Sequence, residues 1–238
     1  MELREGIILK TIKYQENSKI AYIITEEGLT TALIRASLEF KSKNFAYSQE
    51  LTKIEFDIVK SKKNSFDILS SGRLIDSFLN IKKDYNKLLD VSSILDLTYK
   101  TTEHVTNNKN LYDLLDYYLK SYNENCNNNS VRFYNLIFRL KLLYLLGLGL
   151  NFTRCSVCNC EIELQNNYFS IDRGGVVCNG CKHYASDLEH GDYLTITKIL
   201  YLGKLDKLNH NLISQIPLEY YSEIDEFIKS YYSKYLSI

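Results

Sequence analysis

The most informative part of the sequence is a pair of cysteine knuckles, Cys155-Ser156-Val157-Cys158 and Cys178-Asn179-Gly180-Cys181, which nineteen residues separate. Each Cys-x2-Cys turn directs two thiolates toward one point, so two knuckles complete a tetrahedron of sulfur ligands. The spacing therefore predicts a structural Zn²⁺ site, one ion per chain, with Cys155, Cys158, Cys178 and Cys181 as ligands. Because four thiolates leave no position for water, we expect the ion to stabilise the fold and to take no part in chemistry.

Other interpretations of the cysteines fit the sequence less well. A disulfide framework requires an oxidising compartment, yet Met1–Gly6 is charged and lacks the apolar core of an export signal. A catalytic zinc ion would need a neighbouring general base, and no His-x-Glu motif accompanies the knuckles. Cys160 and His183 are spare ligand types, and either could replace a knuckle cysteine if the loop geometry differs. Otherwise we expect Cys160 to pack as a small apolar residue and His183 to lie on the surface.

The composition indicates a globular chain without a global electrostatic field. The 238 residues are 45% hydrophobic, enough for one large or two modest domains with cores. Because 29 basic residues balance 29 acidic ones, any polyanion site must be a local patch. No apolar run approaches the length of a membrane span, which predicts a cytoplasmic protein without a membrane partner.

The first 70 residues have the pattern of a small β-barrel. A β-branched run, Ile20–Thr25, ends at the hairpin signal Glu26-Glu27-Gly28, and Leu29–Ile34 returns. Together with Ile7–Leu9, Leu51–Val59 and Ser65–Leu69, these runs give five short strands. A five-stranded oligonucleotide-binding barrel (OB fold) is one architecture that fits them.

A basic and aromatic segment follows the third predicted strand. Cations that contact phosphates and rings that stack on bases are the groups with which proteins bind single strands. The alternative is a solvated loop whose aromatic rings pack under the barrel. The candidate DNA-binding residues are Arg35, Phe40, Lys41, Lys43 and Phe45, with Lys10, Lys13 and Lys19 near the first loop.

From about residue 73 the apolar spacing changes to that of helices. This pattern begins with Leu74, Ile75, Phe78, Leu79 and Ile81. The polar residues 123–130, which include Cys126, predict a helix–helix loop. Further helices are predicted from Val131 to the stop signal Gly147-Leu148-Gly149, and over 194–208 and 220–236. Between the knuckles, 168–171 and 172–177 predict a strand and a turn into a second strand.

The sequence thus predicts an α+β fold. Residues 1–72 form the OB-fold domain, and residues 73–238 form a helical domain that carries a four-cysteine zinc ribbon as an insertion over 152–185.

Several motifs, in the same order along the chain, resemble those of the RecO family of bacterial recombination mediators. They are Gly6–Thr11 with Asn17–Ile20, Leu143–Phe152 before the first knuckle, and Phe169–Cys178 with its Gly174-Gly175 pair. The resemblance implies a non-enzymatic DNA repair protein that binds single- and double-stranded DNA through the barrel and anneals complementary strands. It further implies cooperation with RecR in loading RecA onto strands coated by single-strand-binding protein, and a cytoplasmic, nucleoid-associated location.

The chain departs from this family at two positions. The family usually has a Lys-Gly-Ala-Arg run after the third strand, whereas Leu38 and Glu39 dilute the charge here. The resemblance also implies a site for the acidic C-terminal tail of the single-strand-binding protein. The basic residues expected just ahead of Phe138 are absent, which leaves Arg132, Arg139 and Lys141 as the nearest candidates.

Two other classes of function are weighed against DNA mediation. A zinc-ribbon adaptor that binds only proteins agrees with the neutral net charge. A metal-dependent nucleic-acid hydrolase is disfavoured, because no paired carboxylate motif stands beside histidines and the predicted zinc site is closed.

Overall fold

The computed structural model of the chain describes residues 3–61, 66–124, 128–162, 168–208 and 216–236. These residues form two compact units, Met1–Glu124 and Asn125–Ile238. Helices that follow the barrel therefore group with it in the first unit. The predicted division into domains 1–72 and 73–238 stays a prediction.

Five strands open the first unit and close into a barrel: β1 (Arg4–Tyr14), β2 (Ser18–Thr25), β3 (Gly28–Ile34), β4 (Thr52–Val59) and β5 (Asp67–Asp76). β1 pairs antiparallel with both β2 and β4, and the parallel pairing of β3 with β5 closes the circle in the order β1-β2-β3-β5-β4. This is the strand order of the OB fold, so the predicted five-stranded barrel is confirmed. The two-residue turn Glu26-Glu27 joins Thr25 to Gly28, as the hairpin signal predicted.

The barrel is filled by the inward-facing residues that the strand alternation predicted. Ile8, Ile23, Ile34, Ile54 and Phe56 are all fully buried in one core cluster. Burying each of these side chains contributes about 1.5–3 kcal/mol relative to exposure, so the barrel has a substantial core of its own.

A short helix between β3 and β4 seals the end of the barrel. This helix, α1 (Lys43–Tyr47), begins at Ser42, whose hydroxyl accepts from the Asn44 N–H, and it was not predicted. Its buried Tyr47 ring packs so closely on Gly72 that a Cβ there would lie 2.7 Å from the ring. Glycine at this position therefore lets α1 sit directly on the barrel.

The predicted change to helical periodicity at residue 73 is wrong in its position. β5 continues to Asp76, so Leu74 and Ile75 lie in a strand, where both are exposed, and the first helical turn begins only at Leu79. The spacing of these apolar residues is that of a helix, but they are exposed residues of a strand. Ser65 of the predicted fifth strand lies outside the described residues.

Three helices complete the first unit: α2 (Leu79–Lys82), α3 (Tyr85–Thr101) and α4 (Asn108–Glu124), with a 3-10 turn over Thr102–His104. Asp84 caps α3 by accepting from the backbone N–H groups of Asn86 and Lys87. Lys53 of β4 is 6% exposed and pairs with Asp116 of α4 at 3.0 Å, which ties helix to barrel.

The second unit contains helices α5 (Asn128–Leu145), α6 (Tyr193–Leu202) and α7 (Leu218–Tyr235), and a small sheet of β6 (Tyr168–Ser170), β7 (Gly175–Val177) and β8 (Leu188–Glu189). Buried Phe169 of β6 contacts the rings of Phe152 and Phe227 at 5.3 and 5.0 Å. The sheet order is β7-β6-β8, and 3-10 turns cover Asn179–Tyr184 and Leu205–Lys207. The predicted ribbon hairpin is confirmed.

The helix boundaries differ in part from those predicted. α5 ends before Gly147, whose φ of 73° lies in the left-handed region that glycine favours, as the stop signal predicted. Two boundaries were wrong: helix covers most of the loop predicted over 123–130, and the helix predicted over 194–208 ends at Leu202. Residues 125–127, with Cys126, lie outside the described residues. None of the helices in the described ranges is long and apolar enough to cross a membrane.

Candidate metal centre and nucleic-acid interface

The first knuckle is a tight loop that its own backbone closes. The N–H of Asn159 donates to the carbonyl of Cys155 at 2.9 Å, and the N–H of Cys155 donates to the carbonyl of Cys160, also at 2.9 Å. Asn159 has a φ of 61°, a left-handed conformation that asparagine tolerates better than most residues. This turn doubles the chain back, so that Cys160 lies beside the two knuckle cysteines.

The second knuckle comes from the segment after β7. Cys178 directly follows the strand, and Cys181 lies in the 3-10 turn that begins at Asn179, where its N–H donates to the Cys178 carbonyl at 2.9 Å. The N–H of Cys178 also donates to the sulfur of Cys155 at 3.4 Å. This bond joins the second knuckle to the first.

Four sulfur atoms lie within 4.8 Å of one another, and they belong to Cys155, Cys158, Cys160 and Cys178. The Sγ atoms of Cys158 and Cys178 are 3.8 Å apart. That distance agrees with the edge of a tetrahedron with zinc–sulfur bonds of about 2.3 Å, roughly 3.8 Å. Cys181 places its thiol beside those of Cys158 and Cys178. The donor set and its spacing therefore fit a tetrahedral thiolate-bound metal ion.

The thiols of the cluster differ in acidity. Burial would raise the pKa of Cys155, but the N–H groups of Cys158, Cys178 and Val157 lower it to about 6. Hydrogen bonding to the neighbouring thiol of Cys158 raises the pKa of Cys160 to about 12, and bonding to Cys178 does the same for Cys181. Backbone N–H donors thus prepare a thiolate at Cys155, where a metal ion requires one.

The structure brings three of the four predicted ligands together with Cys160, which the sequence left open as a substitute. The expectation that Cys160 packs as a small apolar residue is wrong, because Cys160 is exposed and its sulfur lies in the cluster. His183, the other suggested substitute, is exposed on the 3-10 turn. Cys160 joins the three knuckle cysteines of this cluster because of the left-handed turn at Asn159. The spacing of the cysteines along the chain does not indicate that turn.

Three of the candidate DNA-binding cations lie at the same end of the barrel. Lys13 of β1 pairs across the strands with Lys19 of β2, and Lys19 in turn pairs with Ile34 of β3, which precedes Arg35. Three neighbouring strands therefore bring a cation each to the same end. The opposite end of the β2–β3 hairpin carries Glu26 and Glu27.

Backbone and side-chain hydrogen bonds hold the segment after β3 against the β1–β2 turn. The Leu38 N–H donates to the Asn17 carbonyl at 3.2 Å, and the Asn17 amide donates to Glu39 at 2.9 Å. Asn44 of α1 donates to the Arg35 carbonyl at 2.7 Å. Glu39, which dilutes the charge, thus also anchors this segment.

Two aromatic rings belong to the same segment as Lys41 and Lys43. Phe40 is 84% exposed, and its ring centroid lies 5.4 Å from that of Phe45 in a tilted arrangement. A phenylalanine this exposed gains little from folding, so its place beside positive charge is compatible with base stacking. We call the set Lys13, Arg35, Phe40, Lys41, Lys43 and Phe45 the basic–aromatic end.

Two predicted lysines are engaged elsewhere. Lys19 donates to the Ser48 carbonyl and the Gln49 side chain, both at 3.2 Å, and burial lowers the pKa of its ammonium group. Lys10 lies over the Tyr99 ring at 5.2 Å, although it remains exposed. By contrast, Lys13, Arg35, Lys41 and Lys43 are exposed, and none of them forms an ion pair with another residue of the described ranges.

The three candidate tail-binding residues of α5 have different environments. Arg139 pairs with Asp225 of α7, and Lys141 donates to the carbonyls of Tyr201 and Gly203 at the end of α6. Burial lowers the pKa of Lys141 to about 8. Arg132 alone of the three is exposed.

Comparison with known proteins gives matches along the whole chain. Residues 1–78 match the family described as Recombination protein O N terminal, and residues 82–238 match Recombination protein O C terminal. The chain is 30% identical to the DNA repair protein RecO of Clostridium perfringens, which covers 96% of this chain and 92% of that protein. The corresponding protein of Clostridium novyi is 29% identical, with coverage of 97% and 89%.

The DNA repair protein RecO of Listeria monocytogenes is 26% identical, over 99% of this chain and 89% of its own length. The matches thus include both the barrel and the part that carries the cysteine cluster. This chain belongs to the RecO family.

Proposed function

We propose that this chain is a non-enzymatic recombination mediator that binds single- and double-stranded DNA at the basic–aromatic end of its barrel. The observation that carries the proposal is the convergence of exposed cations with the Phe40–Phe45 pair at that end. Membership of a family whose relatives are named DNA repair proteins supports the same function.

Strand annealing follows from the kind of contact that such a surface makes. Cations neutralise the phosphate backbones, whose mutual repulsion opposes pairing, while base edges stay free to find their complements. Stacking on Phe40 and Phe45 holds a strand without regard to sequence, since every base has a π-face. The protein makes and breaks no covalent bond in this process.

We further propose that the cysteine cluster binds one structural Zn²⁺ ion. Tetrahedral sites made only of thiolates favour zinc, and such a closed site leaves no position for a substrate. The ion would fix the two knuckle loops to each other and thereby stabilise the small sheet β7-β6-β8.

The proposed partners are RecR, the acidic tail of single-strand-binding protein and, indirectly, RecA, in the bacterial cytoplasm and at the nucleoid. Among the candidate tail contacts, Arg132 is the residue with an exposed guanidinium. Arg139 and Lys141 already bind groups within their own unit. We therefore assign these two residues a structural role at the candidate tail-binding surface.

The decisive experiment compares two sets of charge reversals in a fluorescence strand-annealing assay and in oligonucleotide binding. Arg35→Glu, Lys41→Glu and Lys43→Glu together should abolish annealing, because they turn the basic–aromatic end acidic. The matched control reverses three exposed lysines that lie elsewhere, namely Lys83, Lys100 and Lys204.

The control variant has the same net charge, so it separates a local site from a global charge effect. We expect it to anneal within about twofold of the unchanged protein. Annealing by the Arg35, Lys41 and Lys43 variant at the original rate would place the DNA site elsewhere. No binding of oligonucleotide by the unchanged protein would favour the alternative of a zinc-ribbon adaptor for proteins only.

A further inference from the structure

The metal centre contains one more thiol than a tetrahedral ion can bind. The sulfur of Cys160 lies 3.4 Å from that of Cys158, and both Cys160 and Cys181 interact with the thiols of Cys158 and Cys178. The two candidate sulfurs therefore adjoin the same pair of ligands. One ion with four bonds has to leave one of the five sulfurs out.

Cys160 is held in this position by the backbone. Its carbonyl accepts from the Cys155 N–H at 2.9 Å, and its own N–H donates to the sulfur of Cys158. The left-handed turn at Asn159 sets the direction of the chain. A thiol fixed in this way needs no rearrangement of the loop to reach the ion.

Cys181 approaches the cluster from a different segment. It lies in the 3-10 turn Asn179–Tyr184, whose residues are largely exposed, and it is bonded through its N–H to the Cys178 carbonyl. The two sulfurs thus come from opposite arms of the ribbon, and each arm is anchored to a residue of the remaining three.

We propose that Cys160 and Cys181 compete for the fourth coordination position of one metal ion, whose other three ligands are Cys155, Cys158 and Cys178. The inference rests on the metal site proposed above. When the fourth ligand is exchanged, the incoming thiol loses its proton to solvent and the outgoing thiolate takes one up. The number of bonds and the charge at the ion stay the same, and no oxidant or reductant is needed.

The metal content of purified variants tests whether Cys160 and Cys181 compete for the fourth coordination position. Each protein is equilibrated with a weak chelator under reducing conditions, and the bound zinc is then measured by mass spectrometry. Cys160→Ser and Cys181→Ser should each retain close to one equivalent, because the other sulfur takes the vacant position. The double variant and the control Cys158→Ser should each contain at least tenfold less zinc than the unchanged protein.

Three results would contradict the proposed competition between Cys160 and Cys181. Loss of zinc from Cys181→Ser alone would show that Cys160 cannot replace it, and loss from Cys160→Ser alone would show the reverse. Zinc retained by the double variant would exclude both sulfurs as necessary ligands. An unchanged protein without metal would instead refute the proposed metal site, so the two failures are distinguishable.

A second measurement requires no cysteine variant of the cluster and so avoids any failure to fold. The zinc-loaded protein is treated briefly with iodoacetamide, and the modified cysteines are located by peptide mass spectrometry. We expect partial modification at both Cys160 and Cys181, with the other three cluster cysteines protected. Modification confined to one of the two would contradict competition.

Discussion

The salt dependence of single-strand binding gives the most quantitative prediction for the basic–aromatic end. Four exposed cations, Lys13, Arg35, Lys41 and Lys43, lie there without ion pairs to the rest of the described chain. For single strands the slope of log K against log salt is about −0.7 per phosphate contact, so four contacts give about −2.8. Affinity should therefore fall about 50-fold between 50 and 200 mM salt.

The perturbation replaces Arg35, Lys41 and Lys43 with Gln. One contact then remains, and the slope should flatten to about −0.7, which corresponds to a loss of only about threefold over the same range. Fluorescence anisotropy of a labelled oligothymidine, titrated at five salt concentrations, measures both slopes.

The control variant replaces Lys83, Lys100 and Lys204 with Gln and should keep the original slope. A slope for the Arg35, Lys41 and Lys43 variant within about 0.5 of the unchanged value would refute the assignment of these three residues as phosphate contacts. If the slope of the control variant flattened equally, overall charge and not a local site would explain the effect.

Three further predictions concern single residues. Phe40→Ala should weaken single-strand binding by about 1–3 kcal/mol, or about 5- to 150-fold, through lost stacking, while anisotropy with duplex DNA stays within about twofold. Asp116→Ala should destabilise the protein by about 2–3 kcal/mol in urea unfolding, because buried Lys53 then keeps the Tyr112 ring and the exposed carboxylate of Glu5 but loses its better-buried carboxylate partner; the control Asp113→Ala should cost less than about 0.5 kcal/mol. Burial lowers the pKa of Lys82 to about 8, so the folded state binds fewer protons than the unfolded state between pH 8 and 10.5, and stability should rise with pH there. Lys82→Met should therefore stabilise the protein by about 1 kcal/mol at pH 7 and by less at pH 10; an equal gain at both pH values would contradict this reasoning.

The sequence predicted those parts of the fold that local patterns specify. The alternation of Leu51–Val59, the hairpin signal at Glu26-Glu27-Gly28 and the glycine at position 147 each act over a few residues, and the structure agrees with all three. The prediction from Leu74 and Ile75 was wrong because both are exposed residues of strand β5, not buried residues of a helix. Apolar spacing indicates a helix only where those residues are buried.

The candidate sites show the same division between local and long-range information. The knuckle spacing indicated a thiolate cluster, but the left-handed turn at Asn159 brings Cys160 into it, and spacing does not reveal a backbone conformation. Likewise, the charge of Lys19 and Lys141 was visible in the sequence. Their hydrogen bonds to the backbone of distant segments were not, since these depend on the folded arrangement.

Photocrosslinking identifies the residues that contact bound DNA and therefore shows whether the barrel binds single strands at its basic–aromatic end. An oligonucleotide that carries 5-iodouracil is irradiated with the 238-residue protein, and the modified residues are identified by peptide mass spectrometry. We expect adducts at Phe40 or Phe45. Adducts found only within the second unit, residues 125–238, would contradict it.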